Sequence, residues 1–112
     1  MYIKKIKCKV MALEVTDDNL EEVLESEITV LDFWAGWCGP CRMVGPVIDQ
    51  LAEENPEVPV GKVNVDENPR AAAEFGIRNI PAVLFFKDGK VVDRLLGAQS
   101  KGAYQSKIDS LK

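Results

Sequence analysis

Two cysteines, Cys38 and Cys41, stand with only Gly39 and Pro40 between them, inside the stretch Trp34-Ala35-Gly36-Trp37-Cys38-Gly39-Pro40-Cys41-Arg42. Upstream, Val30-Leu31-Asp32-Phe33 reads as an apolar strand carrying one acid; downstream, Val44, Val47, Ile48 and Leu51 recur at helical spacing. Cys38 therefore falls at the start of a helix, where free backbone N–H groups and the helix dipole favour a negative charge. A thiolate is such a charge, and a lowered thiol pKa raises the nucleophilic fraction near neutral pH. Residues i and i+3 share a helix face, so Cys41 can reach Cys38 within the first turn. A disulfide across so short a loop adds little stability through loop entropy, which points to a bond that opens and closes. In that chemistry Cys38 attacks a substrate disulfide, and Cys41 then displaces the substrate and leaves Cys38–Cys41 oxidised. Pro40 suits the first turn of a helix because it lacks an N–H and fixes its own φ.

Two inert readings compete. CxxC is also half of a zinc site, but a structural zinc takes four N or S ligands. The chain has no histidine, and Cys8 is its only other cysteine. The second reading is a pair of unreactive buried thiols. Asp32 also has two readings: a strand-end acid facing water, or a buried carboxylate whose pKa is raised by desolvation. In the second case it can take the proton of Cys41 when that thiol attacks. Lys62 lies within the strand-like run Val60 to Val65. It is either a snorkelling side chain at the sheet edge or a charged partner that modulates Asp32.

The elements that hold these residues follow from pattern. Leu13 to Val15 is a short strand. Thr16 is a cap for a first helix, with Asp17 and Asp18 in its first turn and Leu20, Val23 and Leu24 on its apolar face. Ile28 to Ala35 is a central strand buried on both faces. The helix from Cys38 runs to about Asn55 and contains Pro46, where a kink is expected. Asn68 caps a third helix with Pro69 in its first turn, and Gly76 ends it. Val83 to Phe86 and Val91 to Leu96 form a hairpin around Asp88-Gly89. Ser100 caps a last helix, which buries Tyr104, Ile108 and Leu111. The order β-α-β-α-β-α-β-β-α gives an α/β fold: a mixed sheet with a parallel part, a hairpin, and helices on both faces.

A chain of 112 residues makes one small domain, and its 46% apolar residues can fill a core without disulfide staples. A net charge of −4 with no long basic run gives no support to nucleic-acid binding. No apolar run approaches the roughly eighteen residues of a membrane span. Three cysteines do not form a secreted disulfide framework, so a reducing compartment, the cytoplasm, is expected.

Trp37-Cys38-Gly39-Pro40-Cys41, preceded by Asp32-Phe33-Trp34-Ala35, resembles the thioredoxin family. The resemblance extends from about Met11 to the C-terminus. It includes Pro46, Val63-Asn64-Val65-Asp66, Asn68-Pro69, Ile80-Pro81, Gly89 and Gly97. It implies the thioredoxin fold and a redox-active Cys38–Cys41 disulfide with no bound cofactor. It also implies that Asp32 serves as the proton acceptor and that a lysine such as Lys62 stands near it. The Ile80–Pro81 bond is implied to be cis and to lie beside the cysteines, so that a substrate peptide can pair with main-chain groups at Ile80. Thioredoxins often carry Thr after this proline, where this chain has Ala82. Gly97 and Ala98 fall where the family has a loop bordering the substrate groove.

Trp37, Gly39, Pro40, Ile77, Ile80, Pro81, Gly97 and Ala98 are then expected to surround the thiols as a flat apolar patch, suited to protein substrates. The expected function is a general protein-disulfide reductase, monomeric, and the resemblance implies that a thioredoxin reductase recharges it. No metal, nucleic acid or membrane partner is expected. The alternatives are a dithiol oxidase or isomerase on the same fold, a binding subunit without redox chemistry, and a zinc module. Residues 1–10 lie outside the resemblance. Their Ile, Lys and Val alternation reads as an extra edge strand or an unstructured arm, and they lack the apolar core of a signal peptide. Cys8 reads as a thiol without a role, or as one open to oxidation. Met11, where thioredoxin chains usually begin, is a candidate alternative start.

Overall fold

Asp32 sits on the middle one of the five strands that the described residues form. The computed structural model describes residues 11–112. The expectations for residues 1–10, including Cys8, lie outside them. In chain order the elements are β1 (Leu13–Glu14), α1 (Leu20–Val23), β2 (Ile28–Trp34), α2 (Gly39–Glu54), β3 (Val60–Asn64), α3 (Pro69–Glu74), β4 (Ala82–Lys87), β5 (Lys90–Leu96) and α4 (Lys101–Leu111). The sheet order is β1-β3-β2-β4-β5. Strands β1, β3 and β2 run parallel, and β4 and β5 complete the sheet antiparallel. This is the expected mixed sheet.

Alternation along β2 sends Ile28, Val30 and Asp32 to one face and Thr29, Leu31 and Phe33 to the other. On the first face, Ile28 and Val30 pack with Val44, Ile48 and Leu51 of α2 and Tyr104 and Ile108 of α4. On the second, Leu31 and Phe33 pack with Leu20 of α1 and Ala71 of α3. Helices on both faces explain why β2 is apolar at nearly every position. Gly61 of β3 lies beneath Val15, and a Cβ there would overlap Val15 Cγ2. Asp88 and Gly89 both have positive φ, 52° and 82°. That is the turn the Asp-Gly pair predicts.

Helix α2 is continuous across Pro46. It ends at Asn55, whose Nδ2 donates to Leu51 O at 2.8 Å and to Gln105 Oε1 at 2.8 Å. Gln105 Nε2 donates back to Asn55 Oδ1 at 3.0 Å, joining α2 to α4. Ser100 caps α4 as expected, its Oγ accepting the Ala103 N–H at 3.1 Å.

Four expectations are corrected. Thr16 does not cap α1, which starts at Leu20 after Asn19. Thr16 Oγ1 instead accepts the Asp18 N–H within a preceding turn, at 3.2 Å. Asp17, expected in the first turn of α1, caps α3: its carboxylate accepts the N–H groups of Ala71 at 2.8 Å and Arg70 at 3.3 Å. Asn68 occupies the cap position of α3, but its side chain accepts the Asp17 N–H at 2.9 Å and donates to Asn64 O at 3.0 Å. A carboxylate at a helix N-terminus gains from the dipole and a charge-assisted bond, so it outcompetes an amide there. Finally, Lys62 is not on a sheet edge, because β1 pairs with β3 on its outer side.

Candidate active site

Strand β2 ends at Trp34, and the chain crosses a short turn into α2. Cys38 is the N-cap of that helix, in extended conformation at φ −93° and ψ 109°. Its Sγ accepts the backbone N–H of Cys41 at 3.2 Å. Pro40 falls in the first turn, where its missing N–H costs no bond. Cys38 and Cys41 are joined by a disulfide, with Cα atoms 5.3 Å apart. The two residues that the spacing singles out therefore meet at the helix start, where a thiolate is stabilised.

Both cysteines are buried beside Ala35, with Trp34, Val65 and Ile80 packed against them. Trp37 stands 70% exposed next to them, and its Nε1 donates to Asp66 Oδ2 at 3.0 Å. The Ile80–Pro81 bond is cis. Gly97 N–H donates to Pro81 O at 2.8 Å, which holds Gly97 and its neighbour Ala98 against the proline loop. Gly39, Pro40 and Ala98 are exposed, Ile80 and Gly97 half-buried, and Pro81 buried. Ile77, expected in the patch around the thiols, packs instead on the sheet face covered by α1 and α3.

Asp32 is only 1% exposed, which overturns the reading as a strand-end acid facing water. Its Oδ1 has no hydrogen-bond partner among the described residues. Burial pushes its carboxyl up to about 7; Lys62 pulls it down, and Asp49 pushes it up. Asp32 and Cys41 line one cavity of about 180 Å3, together with Trp34, Arg42, Gly45 and Lys62. Lys62 is the register partner of Asp32 across β2 and β3. Its ammonium nonetheless pairs with Asp49, at 3.0 Å to Oδ1 and 3.1 Å to Oδ2.

Trp34, Val65, Arg42, Asp49 and Asp66 were not singled out from sequence as site residues. Cys41, Gly45 and Asp49 follow one another at four-residue steps, so they share a stripe of α2. That spacing is the signal that would have found Asp49. Among the described residues, no group of three or more cysteine or carboxylate side chains could hold a metal. No helix among them is long and apolar enough to cross a membrane.

A dithiol that closes to a disulfide exchanges two electrons with other disulfides by itself. The fold and this pair thus define a dithiol–disulfide oxidoreductase. The thioredoxin family profile matches residues 11–110. The chain is 52% identical over 99 residues to a thioredoxin of Chlorobaculum thiosulfatiphilum, covering 86% of this chain and 92% of that protein. It is 52% identical over 102 residues to thioredoxin 1 of Synechococcus elongatus, covering 88% and 95%. A solved thioredoxin variant from Halobacterium salinarum superposes with a TM-score of 0.85 at 35% identity, over 92% of each chain. The chain belongs to the thioredoxin family, with the thioredoxin fold. It is a protein-disulfide oxidoreductase that reduces disulfides in proteins through its Cys38–Cys41 couple, with no bound cofactor.

Proposed function

We propose that this thioredoxin is a general reductase in which Cys38 attacks, Cys41 resolves and Asp32 handles the proton. The Cys38 thiolate attacks one sulfur of the target disulfide. A Cys38–target bond forms, and the first target thiolate leaves and is protonated. Cys41 gives its proton to the Asp32 carboxylate and attacks Cys38. The Cys38–Cys41 bond forms, and the second target thiolate leaves and takes up a proton. The target gains two electrons and two protons, and the cysteine pair loses two electrons. The observation that carries the order of attack is the Cys41 N–H directed at Cys38 Sγ at 3.2 Å. The cavity shared by Asp32 and Cys41, large enough for water, supports the proton route.

Residues 11–112 form the redox domain in this reading. The target lies across Trp37, Gly39, Pro40, Ile80, Pro81, Gly97 and Ala98, with its main chain at Ile80. The exposure of Trp37, Gly39 and Pro40 and the partial exposure of Ile80, which packs against the cysteines, support a shallow docking face that reads backbone. A thioredoxin reductase, drawing on NADPH or another donor, returns the electrons. The protein works as a monomer in the cytoplasm, a compartment that keeps such a couple reduced.

Equilibration of the Cys38–Cys41 couple against a dithiol buffer tests the direction of electron flow. A reductase requires a potential well below that of the glutathione couple. A potential near or above it contradicts this reading and favours an oxidase or isomerase.

A further inference from the structure

Two acids compete for one ammonium beneath the cysteines. Lys62 faces Asp32 across the β2–β3 ladder, yet its Nζ donates to Asp49 Oδ2 at 3.1 Å and lies 3.0 Å from Oδ1 in the same ion pair. Asp49 is itself fixed, because its Oδ1 accepts the Ala12 N–H at 3.1 Å. Lys62 stands at a wall between two spaces. One is the cavity of Asp32 and Cys41; the other is an outer groove that Asp49 lines with Trp34 and Asn64. Gly45 backs the ammonium on the helix side, where even a Cβ would stand 3.7 Å from Nζ.

We propose that Asp49 is a positioning residue for the proton step: it anchors the Lys62 ammonium at the outer wall of the cavity and keeps it from pairing with Asp32. This rests on the assignment of Asp32 as the proton acceptor for Cys41. An ammonium hydrogen-bonded to Asp32 would hold that carboxylate ionised and make it a poor acceptor. Anchored on Asp49, the ammonium leaves Asp32 free to take up and release a proton near neutral pH. The charged and titratable groups near Asp32 are Lys62 on β3, Cys41, Arg42 and Asp49 on α2, and Tyr104 on α4. Arg42 Nη2 is engaged by Gly36 O at 3.1 Å, and the Tyr104 hydroxyl accepts the Gln99 N–H at 3.1 Å. Lys62 is therefore the cation whose placement between two acids is open to choice.

The test is the titration midpoint of the Asp32 carboxyl, read by carbon NMR in the full chain. In Asp49→Asn the midpoint falls by about one pH unit or more, as expected when an ammonium joins a carboxylate. Asp49→Glu restores it. Loss of the Asp49 charge would by itself lower the midpoint, so the same change is also made on a Lys62→Gln background. There the fall shrinks to less than half if Asp49 acts through Lys62. An unchanged midpoint in Asp49→Asn, or an equal fall with and without Lys62, overturns the proposal. The rate of mixed-disulfide resolution against pH is measured on the same variants. If the midpoint falls but that profile stays fixed, the ion-pair placement holds and the assignment of Asp32 is what fails.

Discussion

The backbone N–H of Cys41 points at Sγ of Cys38 across 3.2 Å. A peptide N–H held by a helix end costs nothing to reorient when the sulfur becomes charged. In the proposed scheme the same short turn favours the Cys38 thiolate and holds Cys41 within reach to resolve the mixed disulfide. Asp32, one strand away on the face that α2 covers, adds a carboxyl held near 7 by burial.

Asp32 makes stability depend on pH. Its folded pKa, about 7, lies above the ordinary 3.8, so between these values the folded state binds more protons than the unfolded one. Stability from this group is full below about pH 4 and falls as pH rises to about 7. The ionised buried carboxylate costs on the order of 4 kcal/mol above that range. Asp32→Asn is expected to raise stability at pH 8, by up to about that amount less the cost of the buried amide, and to change it little at pH 4. Urea unfolding at the two pH values checks this. The same variant should slow resolution of the mixed disulfide near neutral pH, and an unchanged rate across the pH range would leave Asp32 without a catalytic role.

Gly61 tests the packing over the central sheet. A methyl group there meets Val15 and Leu31 at once. Gly61→Ala should cost about 1–3 kcal/mol, the usual range for overfilling a tight core. A denaturant midpoint equal to that of the wild type would show that β1 shifts without strain.

Asp17 tests the cap that joins the two ends of the second sheet face. Asp17→Ala leaves two N–H groups of α3 without their carboxylate and should cost about 1 kcal/mol. Asn68→Ala breaks the return bond to the Asp17 N–H and should not be additive with it, because the two side chains share one loop contact. A double-mutant cycle in urea measures the coupling.

These residues also show what a sequence makes legible. The Asp88-Gly89 turn, the Ser100 cap and the helix start at Cys38 are local, and short-range geometry decides them. The exchange between Asp17 and Asn68 spans 51 residues, so no local pattern announces it. Thr16 and Asp18 looked like a helix start because they satisfy the same preferences in a turn. Sequence leaves Lys62 open between an edge lysine and a partner of Asp32, because the register of β2 and β3 that decides it is a tertiary fact. The bond of Lys62 to Asp49 depends on that register and on the phase of α2 together. The apolar run around Asp32 predicts a strand buried on both faces, but whether its one acid is enclosed or reaches water at the strand end is decided by the packing of α2 over it.

The division of labour between the two cysteines is the central claim, and covalent trapping tests it most directly. Reduced Cys41→Ser is mixed with a protein disulfide and analysed by intact mass and peptide mapping. The account predicts a stable one-to-one adduct through Cys38 in this variant, and no adduct at Cys41 on the same timescale in Cys38→Ser. Full multiple-turnover activity in Cys41→Ser, or equally fast capture by Cys41 in Cys38→Ser, would contradict it.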